Sequence, residues 1–385
     1  GRGNSPMGKI KIWKRHNYGG EIYSICDFYI DWYSNLFNRG LEIIMDEIDK
    51  TRFWKIEQSD DKKYMINSDG ERHLYMLSGE VTHGDVIVVR DNNSVYKMHD
   101  GSSSSALVYV TNQCNSNCIM CPDSVKMRTK ENRISFEELV EYVSLLPSDL
   151  KHIDITGGEP TLLKENLPYL IRRALEQAEN AEVLMLSNGR SFAVDGYTQK
   201  FGIFSDQRFK IEIPIHSADQ EKHDYIAGCR GSFEQTMRGI SNLLRNGVEV
   251  GIRIVVSKLN YRDLNPIIQE VKRRFPEIKY INIMGMEILG NAWKNKETVW
   301  EEFENIKPYV EKAAEQCFSC GIEPGLYNFP LCLFKKKYWY CYKKSITDYK
   351  IRYFTECEEC KEKSECGGFF FSTFRRTNYK VRVQR

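Results

Sequence analysis

Ala106-Leu-Val-Tyr-Val110-Thr-Asn-Gln-Cys114-Asn-Ser-Asn-Cys118-Ile-Met-Cys121-Pro122 is the stretch on which the reading of this chain turns. A short apolar run, Ala106–Val110, passes straight into a polar loop with three thiols at C-x3-C-x2-C spacing. Similar runs recur at His152–Thr156, Val183–Ser187, Ile211–Ile215, Ile252–Val256 and Ile281–Met284. Segments of helical spacing at 135–146, 163–177, 233–246, 263–274 and 299–317 separate or follow them. In the first, Phe136, Leu139, Val140, Val143 and Leu146 share a face, and Ser135 with Glu138 forms a capping-box signature. Six strands alternating with helices predict an α/β fold with a parallel sheet and right-handed crossovers. Such sheets carry their chemistry on the loops at the strands' carboxyl ends. The three cysteines occupy the first of those loops.

The rest of the chain bounds the answer. It has 385 residues, 41% hydrophobic and 28% charged, with net charge +2, so it can bury a sizeable core and carries no global basic field for nucleic acid. No run approaches the roughly 18 apolar residues of a membrane helix. Gly1 to Pro6 read as an expression-tag remnant before Met7. Residues 7–105 read as an N-terminal α+β domain, with runs at Lys9–Trp13, Lys63–Ile66, Val81 and Val86–Val89 and a helix at Phe28–Phe37. A Gly-Ser linker, Gly101 to Ser105, closes it. Residues 106–298 hold the alternating core, and 299–385 form a cysteine-rich extension after the rhythm ends. Twelve cysteines, clustered and without a signal peptide, read as metal or redox chemistry in a cytoplasmic protein.

Three thiolates on a cubane [4Fe–4S] cluster leave one iron open to a small molecule, whereas a zinc site closes a tetrahedron. In the extension, Cys332, Cys357, Cys360 and Cys366 supply four corners for a second cluster or for zinc, with Cys341 as a spare for Cys332. Gly367 and Gly368 would let the backbone wrap tightly there. Cys317 and Cys320 read as ordinary buried thiols, as do the isolated Cys26 and Cys229, and His216 as a packing residue.

The cysteine motif resembles that of the radical S-adenosylmethionine (radical SAM) superfamily. Ile155-Thr-Gly157-Gly158-Glu159-Pro160 matches its GGEP motif, and Ser187-Asn188-Gly189 its T/S-N-G turn. The resemblance implies a partial (β/α)6 barrel in which Cys114, Cys118 and Cys121 hold the cluster. It implies that Gly157, Gly158, Glu159, Ser187, Asn188, Ser217 and Arg253 contact S-adenosylmethionine, Glu159 facing its ammonium group. Ser217 and Arg253 would take the ribose hydroxyls and the carboxylate, with Met284–Gly290 beside the adenine. The carboxyl-terminal cysteines are similar to SPASM and twitch auxiliary-cluster extensions of peptide-modifying members. Gly84-Asp-Val-Ile-Val, Asn328-Phe-Pro-Leu-Cys332 and Cys357-x2-Cys360-x5-Cys366-Gly-Gly-Phe-Phe resemble the "C" maturase of His-Xaa-Ser repeat peptide systems. That branch departs in carrying Gln-Pro-Pro where this chain has Pro122-Asp123-Ser124. The resemblance implies radical chemistry on a ribosomally made peptide, driven by an external reductant such as flavodoxin or ferredoxin. Action on a small molecule or nucleotide, or a zinc-binding or electron-transfer protein, are the rival readings.

Overall fold

A computed structural model describes residues 52–59, 62–74, 81–89, 95–128, 134–205, 208–345, 350–375 and 379–384. The expected strand at Lys9–Trp13, the helix at Phe28–Phe37 and Cys26 lie outside the described residues.

The alternating pattern folds as an α/β protein with an eight-stranded sheet. The described residues contain fifteen strands, numbered in chain order. The first five, β1 (Arg52–Ser59), β2 (Lys62–Ile66), β3 (Arg72–Leu74), β4 (Val86–Val89) and β5 (Val95–His99), make an antiparallel sheet in the order β3-β2-β1-β4-β5. Strands β6 (Ser105–Tyr109), β7 (His152–Thr156), β8 (Glu182–Leu186), β9 (Phe209–Pro214), β10 (Glu249–Val255), β11 (Tyr280–Met284), β12 (Glu323–Tyr327) and β13 (Tyr342–Lys343) lie in sequential order in the large sheet. A last pair, β14 (Ile351–Arg352) and β15 (Phe369–Phe370), is antiparallel.

Two strands extend the sheet beyond the expected six. Strand β12 pairs in parallel with β11, and β13 with β12. The β12 sequence Glu-Pro-Gly-Leu-Tyr hides a strand because Pro and Gly are depleted in them. Its Gly325 is required: it lies opposite Asn282, whose Oδ1 would be 2.4 Å from an added Cβ.

The chain divides into two compact units. One comprises the described residues up to 112 with those of 134–157 and 163–183. Its helix α1 (Phe136–Leu145) starts at the expected capping box, with the Ser135 amide donating to Glu138 Oε2 at 2.7 Å and the Glu138 amide donating to Ser135 Oγ at 3.2 Å. Helix α2 (Asn166–Gln177) buries Leu167, Leu170, Ile171 and Ala174. In the Gly-Ser stretch 101–105, Ser102 to Ser105 are exposed and Gly101 is half-buried. An added Cβ at Gly101 would lie 2.3 Å from the His83 carbonyl oxygen, and its amide donates to Asp85 Oδ1 at 2.7 Å. The Tyr142 hydroxyl lies within hydrogen-bond distance of the carbonyl oxygens of Met98 (3.1 Å) and Leu107 (3.2 Å).

The other unit, 113–129, 158–162 and 184–385, contains the cysteine loop and both cysteine sets of the carboxyl-terminal part. Within it, helices α3 (Gln220–Ala227), α4 (Ser232–Arg245), α5 (Leu264–Arg274) and α6 (Phe303–Ser319) accompany strands β9 to β12. Strand period two sorts the side chains. Ile211, Ile213, Ile252, Ile254, Ile281 and Ile283 are wholly buried on one face. The other face carries Glu212, Arg253 and Asn282, a polar surface that an ordinary core would not tolerate.

Candidate active site

The cysteine loop is held from outside by backbone contacts. The amides of Asn117 and Ile119 donate to the carbonyls of Ala227 and Ile226, both at 3.0 Å. The Ala292 amide donates to the Cys121 carbonyl at 3.2 Å, while Asn291 and Asn295 donate side-chain N–H groups to the carbonyls of Cys118 and Ile119. Inside the loop, Arg128 donates to Ser116 O and Asn117 Oδ1. Cys114, Cys118 and Cys121 are all partly buried. Burial pushes the Cys118 thiol up to about 12 and the Cys121 thiol well above its ordinary range, and it raises Cys114 as well. Thiolates at such positions require a compensating cation, which irons supply. Three thiols on one loop are the donor type that an iron–sulfur cluster takes, while among the described residues no group of three or more His, Cys, Asp or Glu side chains is placed to hold a single metal ion.

Glu159 lies beside this loop, 1% exposed. Its Oε1 accepts from the Thr161 amide (3.1 Å), Thr161 Oγ1 (2.7 Å) and Ser187 Oγ (2.8 Å), and its Oε2 from the Asn188 amide (2.8 Å). The carboxylate expected to face a ligand ammonium is thus also the knot joining the ends of β7 and β8. Burial raises its pKa and these donors oppose the rise. Asn188 Nδ2 continues the knot to Asn115 Oδ1 at 2.6 Å, and Arg190 reaches Asn115 O and Ser116 Oγ. Thr161, Asn115, Ser116 and Arg190 did not stand out in the sequence. Their signal is adjacency alone, each within three residues of a motif position. Glu159→Ala would strand four buried donors, and the expected loss of stability is about 2–5 kcal/mol. A melting curve and an S-adenosylmethionine titration on the same sample check it, and unchanged stability would contradict the knot.

The remaining predicted contacts divide. Gly157 must be glycine, because a Cβ there would lie 2.5 Å from the Thr111 carbonyl oxygen. Gly158 precedes Glu159 at the same turn. Arg253 is fixed through Nε, which lies 3.0 Å from Met284 Sδ and 3.5 Å from Glu212 Oε2. Asn282 Nδ2 donates to Glu212 Oε1 at 2.7 Å and holds that carboxylate in turn. Ser217 is buried, and its Oγ accepts from the Asp219 amide at 3.1 Å, the turn role that is its plainer reading.

His216 packs on His223 with ring centroids 5.0 Å apart. Burial holds His216 well below its ordinary range, and burial lowers His223 to about 4 against the opposing pull of Asp224. In the unfolded chain both titrate near 6.5. Between those values only the unfolded state binds the protons, so stability is full above about pH 6.5 and falls as pH drops toward 4, by about 1.4 kcal/mol per pH unit for each histidine. Denaturant titrations at pH 7 and pH 5 should show that slope, and His223→Gln should flatten it; an unchanged slope would refute the assignment.

Cys332, Cys357, Cys360 and Cys366 line one cavity, together with Trp339, Tyr353, Phe369 and Arg382. The amides of Leu331 and Gly368 donate to Cys366 Sγ, both at 3.3 Å. Gly368 adopts φ +61°, a left-handed conformation that supplies the tight wrap expected of the glycine pair. Cys341 is not at this cavity: it is 2% exposed, donates to the Tyr338 carbonyl and sits in the electrostatic reach of Cys317. The spare-ligand expectation for Cys341 is therefore corrected. Cys341 ends the tight 3-10 segment Lys336–Cys341, where its thiol donates back to the Tyr338 carbonyl. Cys317 is buried, as expected, and Cys320 half-buried.

Residues 108–271 match the family model described as "Radical SAM superfamily". The GTP 3′,8-cyclase of Sulfurimonas denitrificans is 27% identical over 194 residues, 49% of this chain and 57% of that protein. The Fe-coproporphyrin III synthase of Methanosarcina barkeri is 26% identical over 179 residues, 46% of this chain and 43% of that one. The chain thus spans about half the length of these curated relatives. Among solved structures, native anSMEcpe with bound AdoMet and Cp18Cys peptide aligns with TM-score 0.45 and 16% identity, covering 58% of this chain and 63% of that one. Among the described residues no helix is long and apolar enough to cross a membrane.

Proposed function

We propose, from the match of residues 108–271 to the radical SAM superfamily model, that the protein reductively cleaves S-adenosylmethionine and modifies a ribosomally made peptide. When bound, the cluster and S-adenosylmethionine supply one-electron cleavage of a C–S bond, giving a 5′-deoxyadenosyl radical that takes hydrogen from the substrate. Cys114, Cys118 and Cys121 would hold that cluster. Arg253, tethered through Nε, presents its terminal nitrogens as a fork suited to a carboxylate. Glu159 fixes the turns around the cofactor, and the buried isoleucine face keeps water from one side of the sheet.

The four-cysteine cavity is the observation that favours a peptide, since such extensions are similar to those of peptide-modifying members. It would hold a second [4Fe–4S] cluster. A nucleotide or tetrapyrrole substrate is the second reading, favoured by relatives named GTP 3′,8-cyclase and Fe-coproporphyrin III synthase. Anaerobic reconstitution, iron counting and a 5′-deoxyadenosine assay with a deuterated His-Xaa-Ser repeat peptide test the proposal. Deuterium in the 5′-deoxyadenosine supports it. No cleavage refutes it outright, and transfer only from a deuterated nucleotide or porphyrin replaces the peptide.

A further inference from the structure

Segment 379–384 runs along the four-cysteine cavity, and its residues 381 to 384 form part of the wall. It is fastened at three points. Arg382 Nη2 lies 3.0 and 2.8 Å from Oε1 and Oε2 of Glu304 on α6. The Lys361 amide donates to the Gln384 carbonyl at 3.0 Å. The Tyr379 ring packs edge-on to Phe303 and tilted against Phe369, with centroids 5.3 and 5.4 Å away. Tyr379 is 7% exposed, and its hydroxyl is cut off from solvent. That hydroxyl faces the Cys332 sulfur, yet it makes no well-formed hydrogen bond among the described residues. Two other tyrosine hydroxyls nearby are satisfied by backbone: Tyr353 donates to the Cys366 carbonyl at 2.6 Å and Tyr342 to the Phe329 carbonyl at 2.8 Å.

We infer that Tyr379 is a positioning residue for the carboxyl-terminal cluster: its O–H donates to the Cys332 thiolate and makes that cluster easier to reduce. The inference rests on the second-cluster reading of this cavity. A buried hydroxyl without a partner is costly, and a neutral thiol is a poor acceptor. A thiolate bound to iron carries negative charge and accepts far more strongly, so the hydroxyl gains its partner when the site is loaded. Reduction adds one negative charge to the cluster. A donor to a ligand sulfur therefore stabilises the reduced state more than the oxidised one. Cys366 is served in the same way by the amides of Leu331 and Gly368, and Tyr379 brings a donor to Cys332.

The test is a redox titration of the cluster-loaded full chain, followed by electron paramagnetic resonance. Dithionite gives up the electron and is oxidised, the cluster takes it, and Tyr379 keeps its proton. Only the cluster at Cys114, Cys118 and Cys121 should change its signal when S-adenosylmethionine is added, which identifies the signal of the other. Tyr379→Phe keeps the ring contacts and removes only a hydroxyl that bonds nothing in the polypeptide, so the variant should fold and load. At a fixed potential it should lower the ratio of reduced to oxidised carboxyl-terminal cluster about tenfold, a shift of about 59 mV to lower potential. The potential of the first cluster should stay where it is. Tyr353→Phe, which removes a hydroxyl spent on backbone, should change the ratio less than about twofold. An unmoved potential in Tyr379→Phe, or an equal shift in Tyr353→Phe, overturns the inference and leaves the second cluster in place. A wild-type chain with only about four irons, or with zinc at the four cysteines, refutes the second-cluster reading itself, and the inference falls with it.

Discussion

Single replacement of Cys114, Cys118 or Cys121 by Ala is expected to reduce 5′-deoxyadenosine formation to background. Each thiol is one of three on the loop, and a cubane with two protein ligands has two unprotected irons. The fold should survive, because the loop is anchored through the amides of Asn117 and Ile119 and the carbonyls of Cys118, Ile119 and Cys121 rather than through sulfur. A loss of activity without a change of more than about 1 kcal/mol in the apo-protein's stability is therefore the expected pattern. Product is measured by chromatography after anaerobic incubation with dithionite. Sustained turnover in any of the three variants would remove the assignment.

The second large effect concerns the carboxyl-terminal cavity. Changing Cys357 and Cys360 together to Ala should lower bound iron from about eight to about four per chain, one cluster's worth. Uncoupled cleavage of S-adenosylmethionine should persist while peptide modification stops. Cys357 lies within the short Thr355–Glu359 turn and Cys360 caps it, and burial raises the Cys357 thiol. Elemental analysis decides the matter. Zinc in the wild-type cavity, or a double variant with all its iron, would dispose of the second cluster and leave the first untouched.

What the sequence disclosed depended on how local each signal was. Helix α1 was readable to within a residue because its capping box and apolar face occupy one short stretch. The motifs at Cys114, Glu159 and Ser187 were readable because each follows an apolar strand directly. Strand β12 was not, since Pro324 and Gly325 mask a segment that only the pairing with β11 makes extended. Gly101 shows a related dependence: its close approach to the His83 carbonyl is a long-range contact that composition does not disclose. Placement of Cys341 near Cys317 rather than Cys332 likewise depends on tertiary packing, which cysteine spacing alone does not encode.

Two glycines at the cysteine loop reach further than their size. An added Cβ at Gly228 would lie 2.1 Å from the Asn117 carbonyl oxygen, and one at Gly290 2.1 Å from that of Pro122. The loop is thus moulded between two pieces of main chain before any metal arrives. The entropy of arranging the three thiols is met when the polypeptide folds rather than when iron binds. Oxygen damage should then strip the cofactor and leave an intact mould. A cluster rebuilt on this loop would then need no refolding of the chain around it.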